Sequence, residues 1–294
     1  MAHHSLKAYL GVKKREFLIN FTHLPTKTIS GAIVRDMKKS TLTAFLAITF
    51  SLLSPVFAKT IVISDIDDTL KMAHVKALGG QVSRAFMTKI TFAGMPELLN
   101  EIAKQKKVSS FYYLSNAPEF LMKRSHTKFI AVNKYPAGKI ILKSKESKEE
   151  HKIINIKKII ETEKPDEIIF FGDNGERDSV IYREAMDLYP EIKFNTYIHY
   201  VYPNAIEADQ TAFVTALEPL LSLISEGVLP LTSYITASKL AVAIANEGER
   251  ETFKVQYFPE FLNCSGFQLS LPANDLRVLN YKNAIKKINT VCGN

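Results

Sequence analysis

Several kinds of chemistry are missing from this 294-residue chain. Its seven histidines (positions 3, 4, 23, 74, 126, 151 and 199) never fall at the His-x-x-x-His spacing that puts two zinc ligands on one helix face. There is no Gly-x-Ser-x-Gly elbow and no phosphate-binding loop ending in Gly-Lys, which argues against a serine esterase and a P-loop nucleotidase. Internal repeats and low-complexity tracts are also absent. The most apolar run, Leu42 to Leu53, is shorter than the roughly 20 residues that a membrane-spanning helix needs. A basic surface is lacking as well, although the formal charge is +8. Residues 1–58 hold eight Lys or Arg against two acids, so +6 of the surplus lies there and +2 remains for 59–294. That remainder is not the footprint of a nucleic-acid binder.

What the leader does contain is the pattern of an export signal. Lys38-Lys39 make a positive start, Leu42 to Leu53 an apolar centre, and Val56-Phe57-Ala58 a small-residue cleavage site. Residues 37–58 are therefore expected to be a signal peptide, with an uncleaved membrane anchor as the alternative. Residues 1–36 are read as a mis-called extension upstream of a start at Met37. The expected location is periplasmic or secreted. Only two cysteines occur, Cys264 and Cys292, and in an oxidising compartment an even pair favours a disulfide over two buried thiols.

The rest is organised around Ile61-Val62-Ile63-Ser64-Asp65-Ile66-Asp67-Asp68-Thr69-Leu70. A short apolar run of this kind suits a parallel strand buried on both faces, and open α/β sheets place their sites at the carboxyl ends of such strands. Crowded carboxylates repel, and the usual remedies are a proton or a cation. Downstream, apolar runs ending in Ser115-Asn116 and Gly172-Asp173 alternate with helical patterns, one of them spaced at Ile153, Ile154, Ile156, Ile159 and Ile160. This alternation predicts βαβ units and a parallel sheet across 59–204. Lys71 to Thr88 reads as a small insert. Beyond Ala205 the texture becomes helical, with helices expected over Thr211–Ile224, Ala237–Ala245 and from Asn274 to Lys287. Residues 205–294 are thus a helical annex.

Three strand ends then offer polar groups to one edge: Asp65 and Asp67, Ser115 and Asn116, Asp173 and Asp178, with Lys152 on the helix before the third. This set suits attack on a phosphoryl group. Carboxylates from two strands can hold Mg²⁺, a hard cation that prefers oxygen, and Ser115, Asn116 and Lys152 can bind phosphate oxygens. Lys143 is the alternative lysine. Asp67 is expected to keep a proton in its neighbours' field and to hand it to the leaving group.

Asp65-Ile66-Asp67-Asp68-Thr69, Ser115, Lys152 and Gly172-Asp173 with Asp178 resemble, in order, the four motifs of the haloacid-dehalogenase superfamily. The resemblance implies a Rossmann-like sheet with helices on both faces and a minimal cap. It also implies Asp65 as nucleophile, Asp67 as acid/base, and a Mg²⁺ site drawing on Asp65, Asp67, Asp173 and Asp178. Ser64-Asp-Ile-Asp-Asp-Thr-Leu-Lys71, Phe92-Ala-Gly-Met95, Tyr113-Leu-Ser-Asn-Ala-Pro118 and Gly172-Asp-Asn-Gly-Glu-Arg-Asp178 are similar to the catalytic domain of actin-patch-type phosphatidate phosphatases. That implies a phosphoric monoester hydrolase acting on a lipid phosphate at a membrane surface. Asn116, Asn174 and His199 depart from the pattern, the last standing where an arginine is expected. The alternatives are a phosphatase of small soluble phosphomonoesters and a non-catalytic phospho-ligand-binding envelope protein.

Overall fold

The computed structural model describes residues 58–74, 87–105, 107–247, 255–269 and 281–293. The leader before residue 58, most of the 71–88 insert and the helix start expected at Asn274 lie outside them. Residues Phe57–Asn294 form one compact unit. Among the described residues no helix is long and apolar enough to cross a membrane.

In chain order the elements are β1 (Thr60–Ser64), β2 (Thr91–Phe92), α1 (Met95–Ala103), β3 (Val108–Pro118), α2 (Glu119–Val132), β4 (Lys139–Lys143), α3 (His151–Glu163), β5 (Glu167–Asp173), α4 (Asp178–Leu188), β6 (Lys193–His199) and β7 (Thr211–Phe213). Then follow α5 (Leu217–Ser225), α6 (Tyr234–Ala245), β8 (Val255–Gln256) and α7 (Lys282–Val291). Six strands make one parallel sheet in the order β4-β3-β1-β5-β6-β7. The chain runs outward from β1 to β4, then returns through α3 to lay β5 on the other side of β1. That reversal puts the carboxyl ends of β3, β1 and β5 side by side, where ligands bind in open α/β sheets.

Both faces of the sheet are covered, so β1 is apolar at its centre, Ile61–Ile63, and buried along its whole length. Alternate side chains go to opposite layers. Ile61 and Ile63 pack with Ile153, Ile156, Ile159 and Ile160 of α3 and with Ile181 and Ala185 of α4. Val62 faces the other layer, with Leu98 and Leu99 of α1 and Phe129 of α2. Burying each such side chain stabilises the fold by roughly 1.5–3 kcal/mol relative to exposure. Leu220, Leu221, Leu240, Ile244 and Ile288 from α5, α6 and α7 belong to this second cluster.

Two expectations need correction. Thr211–Phe213 does not begin a helix but pairs with Tyr197–His199 as the sixth strand of the sheet, and the helix starts later, at Leu217. The last helix runs on to Val291, where Cys292 closes a disulfide with Cys264.

Candidate active site

β1 delivers Asp65, whose N–H still donates to Phe171 O of β5 at 2.8 Å. The chain then folds into a tight loop in which the Leu70 and Lys71 amides both donate to Ile66 O, at 3.0 and 2.8 Å. Asp68 takes a left-handed backbone, with φ of 61°. This conformation is uncommon outside glycine but is tolerated by aspartate. Its carboxylate is used up in holding the loop: Tyr202 donates its hydroxyl to Oδ2 at 2.6 Å and the His74 amide donates to Oδ1 at 2.6 Å.

Asp65, Asp173 and Asp178 come together, with one ligand oxygen from each lying within 4.8 Å of the others. Asp173 ends β5 and accepts the Gly175 and Glu176 amides on Oδ1, at 2.5 and 3.2 Å. Asp178 opens α4. Lys152, buried on the first turn of α3, donates to Asp65 Oδ1 at 2.6 Å and also to Asp178 Oδ1. Burial, reinforced by the neighbouring carboxylates, pushes the Asp65 and Asp173 carboxyls well above the ordinary range. Asp178 is pushed up mainly by burial, against the pull of Lys152. Burial would lower the Lys152 ammonium, but Asp178 and Asp65 outweigh it and hold it well up. Asp65 Oδ2 is buried without a hydrogen-bond partner. An orphaned oxygen beside two more carboxylates is a donor set that fits a divalent cation, which would neutralise charge on a bound anion.

The approach of these groups depends on small residues. A Cβ on Gly172 would lie 2.7 Å from Asp178 Cβ and 2.7 Å from the Tyr182 ring. One on Gly175 would run into the Tyr202 ring. Neither position has room for a side chain.

Asp67 points elsewhere. Its Oδ2 accepts from Ser115 Oγ at 3.1 Å and meets His126 Nε2 at 3.1 Å. Ser115 in turn accepts the Ala117 amide at 3.0 Å. The Asp67 carboxylate therefore stands outside the group of three, although the sequence led us to count it among the metal ligands. Nor do its neighbours favour a proton. Burial would raise its pKa, but the hydrogen bond and charge of His126, the charge of Lys71 and the hydrogen bond of Ser115 lower it below the ordinary value. Within the site, the carboxyls held high are those of Asp65, Asp173 and Asp178.

Asn116 donates to Glu176 Oε2 at 3.3 Å and leaves its Oδ1 buried without a partner. Glu176 also takes Lys148, at 2.7 Å. Lys143 sits on edge strand β4 opposite Pro118, two strands from Asp65, so Lys152 is the lysine that the fold delivers. Asn174 pins the far loop, accepting the Val201 and Tyr202 amides at 2.9 and 3.0 Å. His199, at the position where an arginine was expected, lies inside the fold. Its ring nitrogens approach Asp68 O and Val214 O at 2.9 and 3.1 Å. Burial lowers its pKa to about 4, so at neutral pH the ring donates to only one of the two. Sequence reasoning missed His126. It lies 59 residues from Asp67, and the only sign of it was its place on the apolar side of α2, with Met122, Phe129 and Ile130.

The site and the family match define the class of protein: the chain is a phosphoric monoester hydrolase with a parallel α/β fold, acting on a phosphorylated substrate. More particularly, residues 60–199 match the family model of the phosphatidate phosphatase APP1 catalytic domain, and the chain resembles that family across this stretch. Two solved structures of the class C acid phosphatase from Bacillus anthracis are also similar, one with tungstate bound and one without. Each alignment covers 71% of this chain and 88% of theirs, at 17% and 16% identity, with TM-scores of 0.34 and 0.35. No curated protein matches the chain.

Proposed function

We propose that the chain is an exported, Mg²⁺-dependent phosphatase that forms a phospho-aspartyl intermediate on Asp65 and acts on phosphatidate or a related lipid phosphate. The observation that carries the reading is the setting of Asp65. Lys152 fixes one of its oxygens, the other has no partner, and the two flanks hold different groups.

In this reading Asp65 attacks phosphorus, and the negative charge of the bound phosphate raises the Asp67 carboxyl from its lowered value so that it takes up a proton and hands it to the leaving alkoxide. Asp67 then removes a proton from the water that releases phosphate. Ser115 and His126 hold the Asp67 carboxylate in one orientation for both transfers. Lys152 and the amides beside Ser115 and Asn116 bind the oxygens that gain charge. Mg²⁺, held by Asp65, Asp173 and Asp178, would supply charge neutralisation when bound. The lipid substrate is supported by the match of residues 60–199 to the phosphatidate phosphatase family. Export is supported by the leader pattern and by the Cys264–Cys292 disulfide, a bond that persists in oxidising compartments.

Asp65→Asn tests the chemistry. The variant is expected to lose turnover of any phosphate ester in Mg²⁺, and equal rates in wild type and variant would remove the covalent mechanism. Phosphate release from phosphatidate in mixed micelles, set beside release from sugar phosphates, tests the substrate. Equal or faster turnover of the sugar phosphates would sink the lipid assignment. Sequencing the amino terminus of the protein recovered from the cell envelope tests export, with Lys59 as the expected first residue.

A further inference from the structure

α2 leaves the sheet at the mouth of the candidate site, starting four residues after Ser115. Its inner side, Met122, Ser125, His126, Phe129 and Ile130, is buried. Its outer side has no packing partner among the described residues and is not simply polar. Phe120 is 92% exposed, more than any other large apolar side chain among the described residues, and Leu121 is 49% exposed. Most other phenylalanines of the sheet and its helices are buried, including Phe111, Phe129, Phe170 and Phe171. A single exposed apolar residue needs no explanation. Here two adjacent ones sit on the first turn of a helix whose outer side continues with cations.

Phe120, Arg124 and Lys128 stand at i, i+4 and i+8, and so share one side of the helix. Leu121 is next to them. Lys123 is exposed too, and Glu119 is occupied in pairing with it at 2.8 Å. The next strand adds positive charge on the same edge, because Lys143 of β4 lies opposite Pro118 and exposed Lys145 follows. A helix end with bare Phe and Leu, ringed by Lys and Arg, has the composition of an interfacial helix that seats apolar side chains among lipid headgroups. Basic side chains near an anionic leaflet add to that attraction. The span from Asn116 to Phe120 is four residues, at most about 14 Å along the chain. A bilayer touching Phe120 would thus bring its headgroup phosphates to the strand ends.

We propose that the outer side of α2, centred on Phe120 and Leu121, docks the protein on an anionic bilayer. The proposal rests on the lipid-phosphate reading above and specifies how the site meets such a substrate. Charge complementarity selects the partner: the side carries Arg124 and Lys128 beyond the Lys123–Glu119 pair, so an acidic headgroup layer suits it.

The chain contains no tryptophan, so Phe120→Trp in the full chain makes emission report on this position alone, however the leader behaves. Emission is expected to shift to the blue on adding phosphatidylcholine vesicles that contain phosphatidylglycerol, and to shift less with phosphatidylcholine alone. Phe120→Asp with Leu121→Asp is expected to slow phosphatidate hydrolysis in the anionic vesicles at least tenfold, while hydrolysis of p-nitrophenyl phosphate is unchanged. Three results would overturn docking: no shift on vesicles, emission already blue without them, or a shift that follows protein concentration, which would mean a second copy. If phosphatidate in detergent micelles is hydrolysed but no vesicle shift occurs, docking falls and the substrate reading stands. If the shift occurs and phosphatidate is not hydrolysed, the surface stands and the substrate reading falls.

Discussion

Replacing Lys152 by methionine isolates the electrostatics of the site. The ligand oxygens of Asp65, Asp173 and Asp178 lie within 4.8 Å of one another. At an effective dielectric of about 20, each ionised pair at that distance repels by about 3.5 kcal/mol, so three ionised groups would carry about 10 kcal/mol. An ammonium at the 2.6 Å separation seen for Lys152 and Asp65 returns about 6 kcal/mol per carboxylate on the same scale. Two such contacts offset the repulsion, and desolvation consumes much of what is left. Breaking a buried pair by removing one partner costs about 3–5 kcal/mol. Lys152→Met is therefore expected to lose that much stability in urea denaturation at pH 7 with EDTA. The Asp65 and Asp173 carboxyls are raised in the folded state, so the folded protein binds their protons more tightly than the unfolded chain. Stability from that source is present at low pH and is lost as pH rises through the raised values. The deficit of the variant should accordingly shrink towards acid, and should also shrink in saturating Mg²⁺. A loss under about 1 kcal/mol at pH 7 in EDTA, the worth of an exposed pair, would refute the reasoning.

Other perturbations test separate parts of the structure. Glu167 accepts from Lys107 and Thr60 on Oε2 at 2.9 and 2.8 Å, and pairs with Lys193. Burial would raise its carboxyl, but those bonds hold it down to about 2. Its contribution is thus present above the unfolded value near 4.5 and lost as pH falls through about 2. Glu167→Gln should cost roughly 2 kcal/mol at pH 7 and flatten the acid limb of urea midpoints plotted against pH. The Cys264–Cys292 disulfide spans 28 residues. By loop entropy, the double Cys→Ser variant should lose about 3.6 kcal/mol, read from the same denaturation curves. Gly172→Ala puts a methyl 2.7 Å from Asp178 Cβ. It should cost about 1–3 kcal/mol in stability and lower kcat about a hundredfold by displacing Asp178.

The sheet was legible because its central strands advertise themselves. Ile61–Ile63 and Ile168–Phe171 are short apolar runs that stop at aspartate, a pattern with few other meanings. β7 was not legible. Thr211–Phe213 is three residues long and runs into Val214-Thr215-Ala216-Leu217, apolar but for Thr215, so its composition matches a helix start, and only pairing with β6 makes it a strand. The strands at Thr91–Phe92 and Val255–Gln256, paired at a separation of more than 160 residues, are shorter still. Within the site, residues fixed by their place at a strand end could be read, as with Asp65, Ser115 and Asp173. Those fixed by helix register against a distant loop could not, as with His126 of α2 beside Asp67.

The largest change concerns the crowding itself. In sequence, Asp65, Asp67, Asp173 and Asp178 form one pool of negative charge. In space they separate, because the Asp68 loop turns Asp67 towards β3 and α2, where Ser115 and His126 take it. Asp65 stays with Lys152, Asp173 and Asp178. The pKa directions follow the same division, lowered for Asp67 and raised for the other three. Under the proposed roles the division matters chemically. A proton carrier that shared the cation's ligand group would have its affinity set by the cation, and would be a poor acid when the cation is bound. Set apart on Ser115 and His126, Asp67 answers to different neighbours. A substrate phosphoryl group placed at Asp65 then has a cation-holding flank on one side and a proton-transfer flank on the other.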